Sequence, residues 1–314
     1  MRVARSLAVL LVVGAVAPVA VSAQRPTPTA PADTVARQVL RTRDGSTFVG
    51  RVVSEDSASV RFQTSSGTLT VDRATVLAID AIRSADMHGE EYWFPDPNRT
   101  RLFFGPTGRM LDAGEGYYMN ADLILQNFAA AAGNYVTLGG GFSLIPGVDP
   151  GDWLYYLTPK VGVYRSDNLN AAVGALAGFV RGGGAGGGRN GFGVLYGVAT
   201  AGGPNASVSG GLGFGYAGSK IESRPVYLVG GEKRVSRRVA LLTENYAFIE
   251  RTSDFVCAAT CSESSRNRLA GAVSYGMRFL GEKLSVDFGF FNLAGHDTDL
   301  IFPGIPYLSF TAKY

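Results

Sequence analysis

Residues 305–314, IPYLSFTAKY, place Leu308, Phe310, Ala312 and Tyr314 on one side of an extended chain and Tyr307, Ser309, Thr311 and Lys313 on the other. Successive side chains of a strand point to opposite faces, so this period of two marks a strand with one apolar and one polar face. The same pattern recurs upstream. Tyr117, Met119, Ala121, Leu123 and Leu125 alternate with Tyr118, Asn120, Asp122, Ile124 and Gln126. In 267–279, Leu269, Gly271, Val273, Tyr275, Met277 and Phe279 alternate with Ala270, Ala272, Ser274, Gly276 and Arg278, and in the next segment Leu284, Val286, Phe288 and Phe290 flank Asp287. In each case the more apolar set is expected to face outward.

Candidate strands fall near 100–105, 116–128, 135–145, 154–164, 169–180, 191–200, 206–216, 225–233, 238–248, 267–279, 284–293 and 305–314. Their connections sort into two kinds. AAAAGN, RSDN, AGGPN, KRVSR and LGEK are short, whereas GPTGRMLDAGE, PGVDPGDW, RGGGAGGGRN, AGSKIESR, IERTSDFVCAATCSESSR and AGHDTDLIFPG are longer. Short turns at one end and long loops at the other characterise transmembrane barrels, whose even strand number returns both ends to the periplasmic side. A secreted β-sandwich has no reason to sort its loops in this way. The expected fold is all-β: an antiparallel transmembrane β-barrel of about 12 strands, with ten and fourteen as neighbouring counts and a soluble secreted β-protein as the alternative.

Arg2 and Arg5 precede an apolar run from Leu7 to Ala17, and Val21-Ser22-Ala23 supplies small residues for a cleavage site, so 1–23 reads as a secretory signal. Residues 24–34 are rich in proline and small residues and read as a linker. Residues 35–83 hold five short strand-like runs separated by polar turns, a small β-domain assigned to the periplasm; 84–99 is a connector and 100–314 the barrel. Hydrophobic residues make up 46% of the chain and charged ones 18%, yet the apolar residues are dispersed rather than gathered into a second long helix-like run. The net charge is +3, with basic residues scattered, which argues against a nucleic-acid partner.

The polar face of the barrel strands carries the functional candidates. Arg278 and Asp287 lie on adjacent strands joined by LGEK and share a lumen wall, and Asp122, Lys160 and Glu244 join the same set. Such a network either satisfies buried charges structurally or lines a selective pore. Cys257 and Cys261, in an exported chain, are expected to form a local disulfide rather than a metal pair, and no metal or cofactor is expected. His296, in the stretch HDTD, is the one candidate for a surface hydrolase, but no serine partner is evident, and the expected protein is not an enzyme.

The closing strand with its aromatic terminus resembles the assembly signal of outer-membrane β-barrels, so Leu308, Phe310, Ala312 and Tyr314 imply recognition by the barrel-assembly machinery and contact with outer-membrane lipid. The stretches YWFPDPNRTRLFFGPTG, GEGYYMNADL, LTPKVGVYRSDN, RVSRRVALLTEN and FLGEKLSVDFG resemble bacterial outer-membrane β-barrel proteins over residues 92–314. That resemblance implies a fold and a location but brings no established substrate. DGSTFVGRVVSEDSASVRFQTSSGTLTV resembles SH3-like and Sm-like modules, in which glycines permit a tight turn and a bent strand. A narrow channel or a surface-binding scaffold is the expected function, with ligand and oligomeric state left open.

Overall fold

The computed structural model describes residues 37–181, 189–257, 261–295 and 303–314. The signal and linker segments, residues 1–34, and the HDTD stretch at 296–299 lie outside the described residues. The chain divides into two compact units, with the boundary between Ile79 and Asp80.

The first unit is built on a five-stranded antiparallel sheet of β1 (Gln38–Thr42), β2 (Thr47–Glu55), β3 (Ser59–Thr64), β4 (Gly67–Asp72) and β5 (Val76–Ala81), in the order β4-β3-β2-β1-β5. Leu40, Val60, Phe62 and Val76 are buried together, with Phe48, Val52, Val71 and Ile79 packed on them. Gly50 sits where a Cβ would lie 1.9 Å from the Gln63 carbonyl oxygen, so only glycine lets β2 approach β3 there. A register shift between Val52 and Ser54 follows. A single 3₁₀ turn, Arg73–Thr75, capped by the Asp72 carboxylate accepting from the Ala74 amide at 2.9 Å, reverses the chain into β5.

The second unit opens with a two-stranded ribbon, β6 (Met87–His88) and β7 (Glu91–Tyr92), and then the barrel. Its strands are β8 (Gly116–Ala121), β9 (Leu125–Ala131), β10 (Val136–Ser143), β11 (Tyr155–Leu157), β12 (Lys160–Arg165), β13 (Leu169–Arg181), β14 (Arg189–Gly203), β15 (Ala206–Ala217), β16 (Lys220–Ser236), β17 (Val239–Cys257), β18 (Cys261–Leu280), β19 (Leu284–Ala294) and β20 (Ile305–Lys313). Each pairs antiparallel with its neighbours, and β20 pairs with β8, closing a 12-strand barrel. The extra short strand is β11, in line with β12 and separated from it by Thr158-Pro159; both lie between β10 and β13.

Three expectations are corrected. The segment 100–105 is no barrel strand; it makes one isolated bridge, Arg101 to Pro106. The segment 116–128 is two strands, because Asp122 and Leu123 take φ of 50° and 62° and turn the chain. One strand lost and one gained leave the barrel at 12. The faces of β8 are also the reverse of the expectation, since Tyr117, Met119 and Ala121 are buried inside and Tyr118 and Asn120 look outward. Local hydrophobicity misassigned this strand because its inner side meets protein rather than water.

The turns of β12–β13, β14–β15, β16–β17 and β18–β19 are short, as their sequences indicate. At the other end, much of the supposed loop sequence is strand. AGSKIESR folds back at Gly218-Ser219, and within IERTSDFVCAATCSESSR residues 249–257 and 261–266 continue β17 and β18 far along their axis. The 20 residues of β18 reach about 66 Å at ~3.3 Å per residue, well beyond the ~9–11 residues that cross a bilayer. Cys257 faces Cys261 in that register, although their side chains lie outside the described residues.

Outward positions are apolar along β18 to β20: Leu269, Val273, Tyr275, Met277, Phe279, Leu284, Phe288, Leu308 and Phe310 are all exposed. Their inward neighbours Ser274, Arg278, Asp287, Ser309 and Thr311 are buried. This is the inverse of a soluble domain and the packing that a lipid exterior requires.

Candidate functional site

What fills the barrel is the stretch that precedes β8. Residues 93–111 enter the lumen as an irregular hairpin: the Thr107 amide donates to the Thr100 carbonyl at 3.0 Å and the Leu102 amide to the Gly105 carbonyl at 2.9 Å. Asn98, Leu102, Phe103 and Leu111 are almost wholly buried. The wall makes room for the hairpin with glycine. A Cβ on Gly230 would stand 2.3 Å from Leu102 Cδ1, and Cβ atoms on Gly276 and Gly289 would stand 3.0 and 2.9 Å from the Phe103 ring.

Buried strand charges stitch this hairpin in place. Arg278 on β18 makes a bidentate pair with Asp287 on β19, Nε to Oδ1 at 2.7 Å and Nη2 to Oδ2 at 2.9 Å. Its Nη1 donates to Asp96 at 2.7 Å and to Glu232 at 3.2 Å, and its Nη2 donates to the Leu102 carbonyl at 2.7 Å. A guanidinium fork suits this, because its planar donors reach several acceptors at once. The Asn98 amide side chain adds a 3.2 Å bond to Asp287.

Glu244 on β17 works differently. One carboxylate oxygen accepts the backbone N–H groups of Phe103, Phe104 and Gly105 at 2.8, 3.0 and 2.9 Å, and the other accepts the Tyr246 hydroxyl at 2.7 Å. Charge-assisted bonds of this kind hold the hairpin tip to the wall. Tyr307 donates to the Phe103 carbonyl at 3.1 Å. Lys160 on β12 donates to three carbonyls of the hairpin, those of Thr100, Thr107 and Arg109, at 3.2, 3.2 and 2.7 Å.

Four of the five residues expected to form a lumen network, Lys160, Glu244, Arg278 and Asp287, are therefore buried in the interior and touch the hairpin or a partner that does. Asp122 is not among them. It is exposed in the β8–β9 turn, where its backbone N–H and side-chain oxygen both bond Leu308, each at 2.8 Å. Asp96 and Glu232 complete the Arg278 cluster and escaped the sequence reading, because Asp96 lies in a stretch taken as a connector. A signal was present in PDPN: a proline-framed acid and amide beside aromatics suits a tight turn held by side-chain bonds better than a free linker.

Where the hairpin leaves the lumen toward β8, a second set of ion pairs anchors it. Arg99 bonds Asp112 at 3.0 Å and Glu115 at 2.6 Å, while Lys313 also reaches Glu115 and Arg165 reaches Asp112. Burial acts to raise the Glu115 pKa, but Arg99 and Lys313 outweigh it and hold the carboxyl down at about 2.

Beside the hairpin a cavity of about 280 Å³ remains in the lumen. Its walls include Phe104, Val194, Val198, Val226 and Leu228, with Arg101 and Lys160 at the hairpin side.

No family model and no curated protein matches the chain. Among solved structures, it is similar to a loop L8 deletion mutant of OmpT, an outer membrane protein of Vibrio cholerae, at 10% identity and a TM-score of 0.36, covering 88% of this chain and 95% of that one. It is also similar to Salmonella typhi OmpF in complex with daunomycin, at 7% identity and a TM-score of 0.31 over 89% and 95% of the two chains. Pseudomonas aeruginosa OccK5 (OpdH) gives 9% identity and 0.32 over 63% and 62%. The fold is an outer-membrane-type β-barrel. At these scores the likenesses carry nothing about ligand or activity, and the assignment of the fold stands on the strand pairing and the outward apolar face.

Proposed function

We propose that the protein is a non-enzymatic outer-membrane barrel whose lumen is closed by its own residues 93–111, acting as a binding scaffold rather than an open conduit. The observation that carries this is the engagement of Arg278, Glu244 and Lys160 with the hairpin. An aqueous pore needs its charged side chains turned toward a wet path, whereas these are turned into protein. The closing strand, with Leu308, Phe310, Ala312 and Tyr314 outward, fits assembly into lipid by the barrel-assembly machinery.

The first unit fits an SH3-like module placed in the periplasm. The support is its strand order, a four-strand meander whose first strand also pairs with the fifth, and the 3₁₀ turn before that last strand. The role of spacer or adaptor suits it.

Planar-bilayer recording of the detergent-refolded full chain tests the plug. The expected result is silence from the folded wild type and opening events in Arg278→Ala combined with Glu244→Gln. Steady conductance from the wild type, of the size that an empty 12-strand lumen allows, would reject closure.

A further inference from the structure

We infer that the cavity beside the hairpin is a binding site for a small amphipathic organic anion, with a carboxylate seated at the Arg101 guanidinium near the Lys160 charge and an apolar body lying against Val194, Val226 and Leu228. This inference rests on the reading of the lumen as a plugged binding site.

The polar end is electrostatically unfinished. Arg101 is 6% exposed, its guanidinium lies 4.3 Å over the Tyr117 ring, and its Nε donates to Asn98 Oδ1 at 2.7 Å. Its Nη2, buried, has no hydrogen-bond partner. Lys160, equally buried, meets three neutral carbonyls, and among the described residues neither cation has a carboxylate within ion-pair distance. The Thr137 hydroxyl on the cavity wall, which can donate, also lacks a partner. Buried ions are normally paired, so two cations without a carboxylate and an idle hydroxyl around one cavity describe an anion site.

The other end excludes a bare inorganic ion. Leu176 and Val194 face each other across the β13–β14 ladder, two residues beyond the Gly174–Tyr196 pair that flanks Lys160. The same cavity is lined by Phe104 from the hairpin tip and by Val226 and Leu228 from β16. Gly211 and Gly213, paired with Leu228 and Val226, add no side chain to that wall, and a Cβ on Gly213 would stand 2.7 Å from Val194 Cγ1. A cavity of about 280 Å³ sits near the lower end of the ~300–1,000 Å³ typical of small-ligand sites. A carboxylate with a short or medium hydrocarbon body fits it; a multi-chain lipid is too large.

Calorimetric titration of the full chain in non-ionic detergent, with octanoate as probe and 1-octanol and inorganic phosphate as comparators, tests this. Saturable octanoate binding is expected, with both comparators much weaker. Arg101→Met is expected to weaken octanoate by about tenfold or more, the loss of a hydrogen bond to a charged group, with octanol unchanged. Val226→Trp, which fills the apolar end and leaves the cations alone, is expected to abolish octanoate binding. Faster electrophoretic migration before boiling verifies the folded barrel in each variant. Equal heats from wild type and Val226→Trp would mean partition into micelles only and would overturn the site, as would octanol binding as well as octanoate. Phosphate competing at equal strength would overturn the amphipathic ligand class. A silent bilayer without octanoate binding would reject the ligand and leave the plug; octanoate binding by a conducting wild type would do the reverse.

Discussion

The five-stranded sheet and the barrel use the same period of two and put it to opposite purposes. In the first, Leu40, Val60 and Phe62 are buried while Arg61 and Gln63 between and beside the latter two look to solvent. In the barrel, Val273, Tyr275 and Met277 look outward while Ser274, Gly276 and Arg278 look inward. The small sheet lowers its free energy by hiding apolar area from water. The barrel places that area against lipid and moves the problem inside, where buried polar groups need partners. The inner hairpin supplies them: its carbonyls, amides and Asp96 are what Arg278, Glu244 and Lys160 hold.

This difference predicts where each region breaks. Arg278→Ala is expected to cause the largest loss, about 3–5 kcal/mol, because it strands Asp96, Glu232 and Asp287 as buried unpaired acids. Urea unfolding of the barrel in detergent reads it, and a loss under about 1 kcal/mol would mean that water enters the cluster freely. Phe62→Ala removes the centre of the small core and is expected to cost about 3–5 kcal/mol in the unfolding of that unit. The barrel transition, followed by its heat-dependent electrophoretic mobility, is expected to stay in place.

Val273→Arg puts a charge on the outward face and is expected to cost about 2–4 kcal/mol in a lipid bilayer. The same measurement in a water-soluble β-protein with an exposed face would give almost nothing, so a negligible effect here would argue that this face does not meet lipid. Glu115 gives a pH signature. Its folded pKa is about 2 against an ordinary 4.5, so its contribution is fully present above pH 4.5 and fades as pH falls toward 2. Glu115→Gln is expected to flatten that part of the acid stability curve, and a curve identical to the wild type would remove the assigned role of Arg99 and Lys313. Arg73→Ala, breaking an exposed pair with Glu55, is expected to change stability of the small unit by less than about 1 kcal/mol.

Much of the frame was legible in the chain. The strands from β13 to β20 show their period plainly, because each is long and its two sides meet unlike surroundings. Arg278 and Asp287 were placed together by a register counted across the LGEK turn, and they meet as a bidentate pair. The start of the barrel was misread for a physical reason. TRLFFG carries an apolar, strand-prone run, but whether it joins the wall or enters the lumen depends on partners more than 100 residues away, among them Glu244 and Gly230. Asp122 looked like a wall residue because the alternation of β8 runs on through it, whereas Asp122 and Leu123 themselves make the turn.

The sequence by itself determined the class of the protein. A period of two and short turns alternating with longer connections are local features, set by backbone geometry and by which side chains tolerate lipid. Only the tertiary structure decided what the lumen contains. Closing the sheet brings side chains from distant strands around one space, and the free energy of a buried charge depends on every partner in that space. The same lysine, arginine and acids would line a wet pore or hold a plug, and here residues 93–111 occupy that space and take the role of water.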